Sequence, residues 1–98
     1  MNISKNIDGT TMNIALEGRL DTTTSPRLEE EVRADIGGIT ELNFDLAALE
    51  YISSAGLRVL LAAQKIMNAQ GAMTVKNVSP EIMEIFEVTG FSEILTIE

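Results

Sequence analysis

The sequence contains neither of the side chains on which most catalytic and metal-binding sites depend. Its 98 residues include no cysteine and no histidine. Disulfides and thiolate metal sites are thereby excluded, and the chain lacks the commonest general base and the commonest transition-metal ligand. Carboxylates are plentiful, but they lie in different segments, whereas a hard cation requires several oxygens that converge on one point. We therefore expect a protein that is not an enzyme and that has no metal site and no cofactor.

Aromatic residues and positive charge are also scarce. Three phenylalanines and one tyrosine are scattered along the chain, so they form no stacking platform for single-stranded nucleic acid. Fifteen acidic against seven basic residues give a formal net charge of -8, which repels phosphate backbones and anionic lipid surfaces. The chain has no long apolar run and no basic-then-apolar leader at Met1. We expect no nucleic acid partner, no membrane insertion and a cytoplasmic location.

The turn residues, helix caps and apolar periodicity of the sequence predict four strands and three helices. An Asp8-Gly9 turn joins the first two strands into an antiparallel hairpin. Ser25-Pro26 and Ser79-Pro80 each open a helix, with serine as the cap and proline in the first turn. The predicted strands are residues 3–7, 12–17, 41–46 and 73–76. The predicted helices are 25–36, 57–70 after a serine pair, and 80–89, and residues 94–97 form a short final strand or turn.

This order of elements predicts one α/β domain over residues 1–98. With 45% hydrophobic residues, the chain can bury a real but small core. Strands that alternate with helices require right-handed crossovers and parallel pairing. Polar residues alternate with apolar ones in the third strand, so one face of the sheet stays at least partly wet. We predict a mixed sheet of four or five strands, with an N-terminal antiparallel hairpin, then mostly parallel pairing, and helices mainly on one face.

Two adjacent serines, Ser53 and Ser54, lie where an extended segment gives way to the second helix. A helix start offers unpaired backbone N–H groups and a partial positive charge, so a phosphoserine there would be stabilised. Serine is also a preferred helix cap, which is an equally physical explanation. A serine hydrolase is a poor fit, because no histidine exists and Lys65 lies about three turns from Ser54.

The region around the serine pair resembles a known family signature. Residues 45–57, DLAALEYISSAGL, followed by Val59-Leu60-Leu61, are similar to the signature of the STAS domain as found in bacterial anti-sigma factor antagonists. The resemblance extends over essentially the whole chain. The opening hairpin, residues 18–21 (GRLD) and residues 88–91 (VTGF) all fall where the family has counterparts.

The resemblance implies a phosphorylation switch. In the family, the serine or threonine two residues before the Gly-Leu pair is phosphorylated by a partner serine/threonine kinase, which is also the anti-sigma factor; here that residue is Ser54. The unmodified antagonist binds the kinase and frees the sigma factor, phosphorylation breaks the complex, and a PP2C-type phosphatase restores the antagonist. The family often has aspartate immediately before the acceptor. This chain has Ser53 there, and Ser53 is the alternative acceptor.

We expect the partner to contact a surface that contains the serine pair. Its predicted residues come from the loop before the first helix, the start of the second helix and that helix's outer face: Asp21, Thr22, Ser53, Ser54, Ala55, Gly56, Arg58, Leu61, Ala62 and Lys65. Two of these have a structural alternative. Leu61 would instead pack against a neighbouring helix, and Asp21 would instead be a turn or cap residue.

Two other functions remain open from the sequence. A STAS domain can also be a regulatory or adaptor subunit of another assembly, in transport, lipid trafficking or stress sensing, with no sigma-factor role. An enzyme or nucleotide-binding protein would need a convergent polar pocket, for which the sequence offers no base, metal cluster or phosphate loop. The sequence does not predict the oligomeric state.

Overall fold

A computed structural model describes all residues from Met1 to Glu98. Four strands and three helices follow one another along the chain, and a short 3-10 helix, Phe91–Glu93, comes after the last of them. The strands are β1 (Asn2–Asp8), β2 (Thr11–Leu20), β3 (Glu41–Ile52) and β4 (Ala72–Lys76), and the helices are α1 (Ser25–Asp35), α2 (Ser54–Gln70) and α3 (Pro80–Thr89). The predicted order of elements is confirmed.

The four strands form one mixed sheet in the order β1-β2-β3-β4. Strands β1 and β2 pair antiparallel, whereas β2 with β3 and β3 with β4 pair parallel. At the hairpin Gly9 has a φ of 64°, a left-handed conformation that glycine adopts without steric cost. Residues 94–97, predicted as a short final strand or turn, contribute only an isolated parallel bridge between Val75 and Ile97, so the sheet has four strands.

The core lies between the helices and one face of the sheet. On that face Met12, Leu42 and Met73 lie side by side in register, and all three are almost fully buried. On the opposite face of β2, Asn13 and Glu17 are exposed. A cluster of 23 buried residues joins this face to α1, α2 and α3. The helices therefore cover one face, as predicted, because only that face of the sheet is apolar.

Strand β3 is longer than its sequence pattern predicts. We expected it to end at Leu46, but it continues to Ile52. Its pairing with β2 shifts register twice, between Ala15 and Glu17 and between Gly18 and Arg19. Such irregularities break the two-residue alternation on which strand prediction depends, and the buried residues after Leu46 recur at intervals of three. The extension carries the chain directly to the start of α2.

Of the two predicted Ser-Pro helix caps, one is confirmed and one is wrong. Ser79 caps α3 by accepting a hydrogen bond from the backbone N–H of Ile82 at 3.3 Å. Ser25 does not cap α1, because its hydroxyl donates to the backbone carbonyl of Asp21 at 2.6 Å and Ser25 already belongs to the helix. The Asp21 side chain organises this turn instead.

Candidate phospho-switch surface

Ser53 is the cap of α2. Its backbone is extended, with φ -96° and ψ 175°, and its hydroxyl accepts a hydrogen bond from the Gly56 N–H at 3.4 Å. Its N–H donates to the carbonyl of Leu20 at 2.9 Å, and its carbonyl accepts from the N–H of Leu57 at 3.0 Å. The side chain is half-buried. The Ser53 hydroxyl therefore has a structural task at the junction between β3 and α2.

Ser54 is the first residue of α2, and its side chain is exposed. Its hydroxyl makes no hydrogen bond within the protein, and the N–H groups of Ser54 and Ala55 have no acceptor there. Free N–H groups at a helix start carry the positive end of the helix dipole. The structure thus presents an accessible hydroxyl beside two free donors, where an anionic group is electrostatically favoured.

Gly56 lets the first turn of α2 sit directly on the ends of two strands. A Cβ atom at this position would lie 2.7 Å from Cγ of Leu20 and 2.9 Å from Cγ1 of Ile52. Both neighbours are buried, so neither moves away easily. Gly56 itself is buried, so it adds no side chain to the predicted surface. Its role is to allow the first turn of α2 to pack closely against the strands.

Asp21 organises the loop beside the serine pair. Its Oδ1 accepts hydrogen bonds from the Thr23 hydroxyl at 2.8 Å, the Thr23 N–H at 3.0 Å and the Thr24 N–H at 3.1 Å. These bonds, the Thr23 hydroxyl first among them, hold the pKa of Asp21 below its usual value. Asp21 therefore has the turn role that was its structural alternative, while its neighbour Thr22 is exposed.

Arg19 and Tyr51 lie next to this loop, and neither was among the residues predicted for the contact surface. They face each other across β2 and β3, and the Arg19 guanidinium carbon lies 4.3 Å from the centroid of the Tyr51 ring. Arg19 Nε is also 4.0 Å from Oδ2 of Asp21. Tyr51 is 37% exposed, so this cation–π pair extends the surface on the sheet side. Their pairing depends on the second register shift, which no sequence pattern indicates.

The outer face of α2 supplies the rest of the predicted surface. Arg58 and Lys65 are exposed, whereas Leu61 and Ala62 are half-buried. Leu61 is neither a member of the core cluster nor packed against it. Ala62 lies in the groove between α1 and α2. Lys65 is eleven positions after Ser54, which corresponds to about 16 Å along the helix.

A shallow cleft joins the loop to the start of α2. Its volume is about 220 Å³, and it lies between the first turns of α1 and α2. Thr22 lines it on the loop side, and Ala55 and Arg58 line it on the α2 side. Three of the predicted surface residues, from two separate chain segments, are thus brought together.

Asp45 is the first residue of the segment 45–57 that resembles the family signature, but it lies away from this surface. Its Oδ1 accepts hydrogen bonds from the Ala47 N–H at 2.9 Å and the Asn77 side-chain amide at 3.0 Å. These bonds, with Ala47 the larger cause, hold the pKa of Asp45 below its usual value. Asp45 therefore ties β3 to the segment that follows β4.

Two further features of the structure bear on function. None of the helices combines the length and the apolar character that a membrane-spanning helix requires. No three acidic side chains converge in an arrangement that could hold a metal ion.

The sequence matches a known protein family over almost its whole length. The family model described as the STAS domain matches residues 2–98. The chain belongs to the STAS domain family. Since the match begins with β1 and includes the final bridge, this STAS domain contains every element described above.

Bacterial relatives of this STAS domain are named for the regulation of sigma factors. It is 37% identical over 84 residues to BtrV of Bordetella bronchiseptica, provisionally named an anti-sigma factor antagonist, and the match covers 84% of this chain and 72% of that protein. It is 34% identical over 104 residues to the anti-sigma-B factor antagonist of Listeria monocytogenes, with 100% of this chain and 90% of that protein covered.

The fold of this STAS domain is similar to that of the anti-sigma factor antagonist SpoIIAA of Bacillus. SpoIIAA in its unphosphorylated form matches with a TM-score of 0.79 at 20% identity, covering 99% of this chain and 87% of SpoIIAA. The phosphorylated form of SpoIIAA matches with a TM-score of 0.78 at 20% identity, covering 99% of this chain and 91% of SpoIIAA. At this level of identity the likeness establishes the fold.

Proposed function

We propose that this STAS domain is an anti-sigma factor antagonist controlled by phosphorylation of Ser54. The unphosphorylated protein binds an anti-sigma factor that is a serine kinase, and a sigma factor is released. Phosphorylation ends the binding, and a PP2C-type phosphatase reverses the modification. The protein acts in the cytoplasm as a binding partner without catalytic activity of its own, and residues 1–98 form one binding unit.

The observation that carries the proposal is the different placement of the two serines. Ser53 caps α2 and is half-buried, whereas the Ser54 hydroxyl is exposed and free of hydrogen bonds. A kinase requires an accessible hydroxyl, and Ser54 supplies it. The names of the Bordetella and Listeria relatives support an antagonist role, and SpoIIAA, a protein of the same fold, has a phosphorylated form.

Phosphorylation and dephosphorylation require no group from this chain except the serine hydroxyl. In the kinase reaction the Ser54 oxygen bonds to the γ-phosphorus of ATP, ADP leaves with the bridging oxygen, and the hydroxyl proton passes to a base of the kinase. In the reverse step, water attacks the phosphorus, inorganic phosphate leaves, and the hydroxyl is restored. The absence of histidine from the chain fits this division, since both partner enzymes bring their own bases.

The phosphate alters binding more than it alters the fold. It adds about -1.5 to -2 charges and three acceptor oxygens. At the start of α2 the free N–H groups of Ser54 and Ala55 and the helix dipole accommodate this charge. At the interface with the kinase, the same phosphate brings like-charge repulsion and a desolvation cost if carboxylates or apolar groups face it. The complex therefore dissociates while the antagonist stays folded.

The contact surface proposed for the kinase is the predicted one without the buried Gly56 and with two additions. It consists of the Asp21–Thr22 loop, residues 53–55 at the start of α2, and Arg58, Leu61, Ala62 and Lys65 on α2. Arg19 and Tyr51 extend it on the sheet side. Leu61 carries the apolar part, because it is only half-buried and has no place in the core.

The test is phosphorylation by the anti-sigma factor kinase of the same organism. The purified protein is incubated with this kinase and ATP, and the modified residue is mapped by mass spectrometry. We expect phosphate on Ser54, none on a Ser54→Ala variant, and continued labelling of a folded Ser53→Ala variant. If Ser54 is not labelled and Ser54→Asp binds the kinase as well as the unmodified protein does, the domain is a regulatory or adaptor subunit of another assembly.

A further inference from the structure

Arg58 lies one helical turn after Ser54 on the exposed side of α2. Residues four apart on a helix are neighbours, with Cβ atoms about 5–6 Å apart. The Cα–Cβ bond of a helical residue tilts toward the helix N-terminus, so that of Arg58 tilts toward the turn that begins with Ser54. The length of an arginine side chain is sufficient to bring the guanidinium to a group attached to Ser54.

Arg58 is also one of two basic side chains without a partner. The seven basic residues include four that form ion pairs with carboxylates and a fifth, Arg27, that donates to the carbonyl of Met1. Neither Arg58 nor Lys65 has a carboxylate within 4.0 Å or a hydrogen bond within the protein. Only Arg58 is close to Ser54 along the helix. Its guanidinium is therefore free to bind a new anion.

Two carboxylates at or beside the cleft that Arg58 lines already have neighbouring donors. Glu29 of α1 lines the same cleft as Arg58, but its Oε1 lies 3.7 Å from Nε of Arg33. Asp21, in the loop before α1, has Oδ1 occupied by Thr23 and Thr24 and Oδ2 near Arg19. Neither carboxylate holds the Arg58 side chain in competition with a phosphate on its own helix.

We propose that Arg58 is a positioning residue that binds the phosphate of phosphorylated Ser54 within the same chain. The inference rests on the proposed function only in taking Ser54 as the residue that carries phosphate. A guanidinium matches two phosphate oxygens at once, so the contact fixes the direction of the phosphate as well as its charge. Phosphorylation then changes the surface twice, since it adds negative charge and withdraws Arg58 from the contact with the partner.

The test is a phosphorus NMR titration of protein that carries phosphoserine at position 54, incorporated during synthesis. The second ionisation of the phosphate is followed against pH in the otherwise native protein and in Arg58→Gln, Arg58→Lys and Lys65→Gln. Pairing with a cation favours the doubly charged phosphate. We expect its titration midpoint to rise by about 0.15–0.35 pH unit in Arg58→Gln and by less in Arg58→Lys, which keeps the charge but loses the planar fork.

Lys65→Gln is the matched control, since it removes the same charge from the same helix about 16 Å away, beyond the screening length in physiological salt. We expect its midpoint to equal that of the native phosphoprotein. An unchanged midpoint in Arg58→Gln, or an equal rise in Lys65→Gln, overturns the inference. Because the phosphoserine does not come from a kinase, this result is independent of whether a kinase labels Ser54, and the two proposals fail separately.

Discussion

Replacing Ser53 with alanine removes the hydroxyl that caps α2, and the structure gives the size of the effect. Loss of a serine cap costs between about 0.5 and 2 kcal/mol. Here the hydrogen bond to the Gly56 N–H is 3.4 Å long, near the outer limit for such a bond, which places the cost in the lower part of this range. We expect Ser53→Ala to reduce the free energy of unfolding by about 0.5–1 kcal/mol.

Ser54→Ala is the matched control, because it removes a neighbouring hydroxyl that makes no hydrogen bond. Alanine is the better helix former, so the free energy of unfolding should stay the same or rise slightly. Urea denaturation of both variants, followed by far-ultraviolet circular dichroism, measures the difference. For a domain of this size, the Ser53→Ala cost corresponds to a fall in Tm of about 2–8 °C. Equal destabilisation by the two substitutions, or a larger effect at Ser54, would refute the assignment of cap and free hydroxyl.

Three further predictions concern packing, the contact surface and acid stability. Gly56→Ala should lower the free energy of unfolding by about 1–3 kcal/mol in urea denaturation, because its Cβ would overlap the buried Leu20 side chain. Leu61→Glu should change this free energy by less than about 1 kcal/mol, since Leu61 is outside the core, yet weaken binding to the anti-sigma factor kinase in calorimetry. Hydrogen bonds lower the pKa of Asp45 in the folded state. The carboxylate therefore stabilises the fold above about pH 4, and this stabilisation is lost as the pH falls through the folded-state pKa. The stability gap between the native protein and Asp45→Asn should therefore narrow below about pH 4.

Each of these predictions has a contrary outcome. Unchanged stability of Gly56→Ala would mean that Leu20 and Ile52 yield to the added methyl group. Full kinase binding by a folded Leu61→Glu would remove Leu61 from the contact surface, and unfolding of that variant would assign it to the core. If the difference in stability between the native protein and Asp45→Asn stays constant or widens in acid, the hydrogen bonds to Asp45 do not favour its charged form.

Local signals were sufficient to predict the order and pairing of the main elements. The Asp8-Gly9 turn and the alternation on either side of it predicted the hairpin, and Ser79 caps α3 as its Ser-Pro sequence indicates. Such signals act within a few residues, so they can be read without knowledge of the fold. Alternation in β3 predicted an outer face that is at least partly wet; Asn13 and Glu17 of β2 are exposed on that face, whereas Asn43 of β3 is buried.

Features that depend on contacts between distant segments could not be read in this way. The extension of β3 to Ile52 depends on two register shifts against β2, and the contact of Arg19 with Tyr51 depends on the second of them. The assignment of Ser25 as a cap was wrong because Asp21 organises the turn and accepts the Ser25 hydroxyl at its carbonyl.

The division of roles between the two serines also required the structure. Both hydroxyls suit a helix start on sequence grounds, and the resemblance to the STAS signature alone pointed to Ser54. The extended backbone of Ser53 and its bond to Gly56 give that residue the cap, and Ser54 is left exposed. Where the partner binds is still a prediction for every residue of the contact surface.

The central claim is that a phosphate on Ser54 ends binding to the anti-sigma factor kinase. The most direct measurement compares the affinity of this kinase for the unmodified protein and for protein with phosphoserine incorporated at position 54, by calorimetry. We expect the phosphate to weaken binding at least about tenfold, equivalent to about 1.4 kcal/mol, with no change in the circular dichroism spectrum. Equal affinity of the two forms, with both folded, would contradict it.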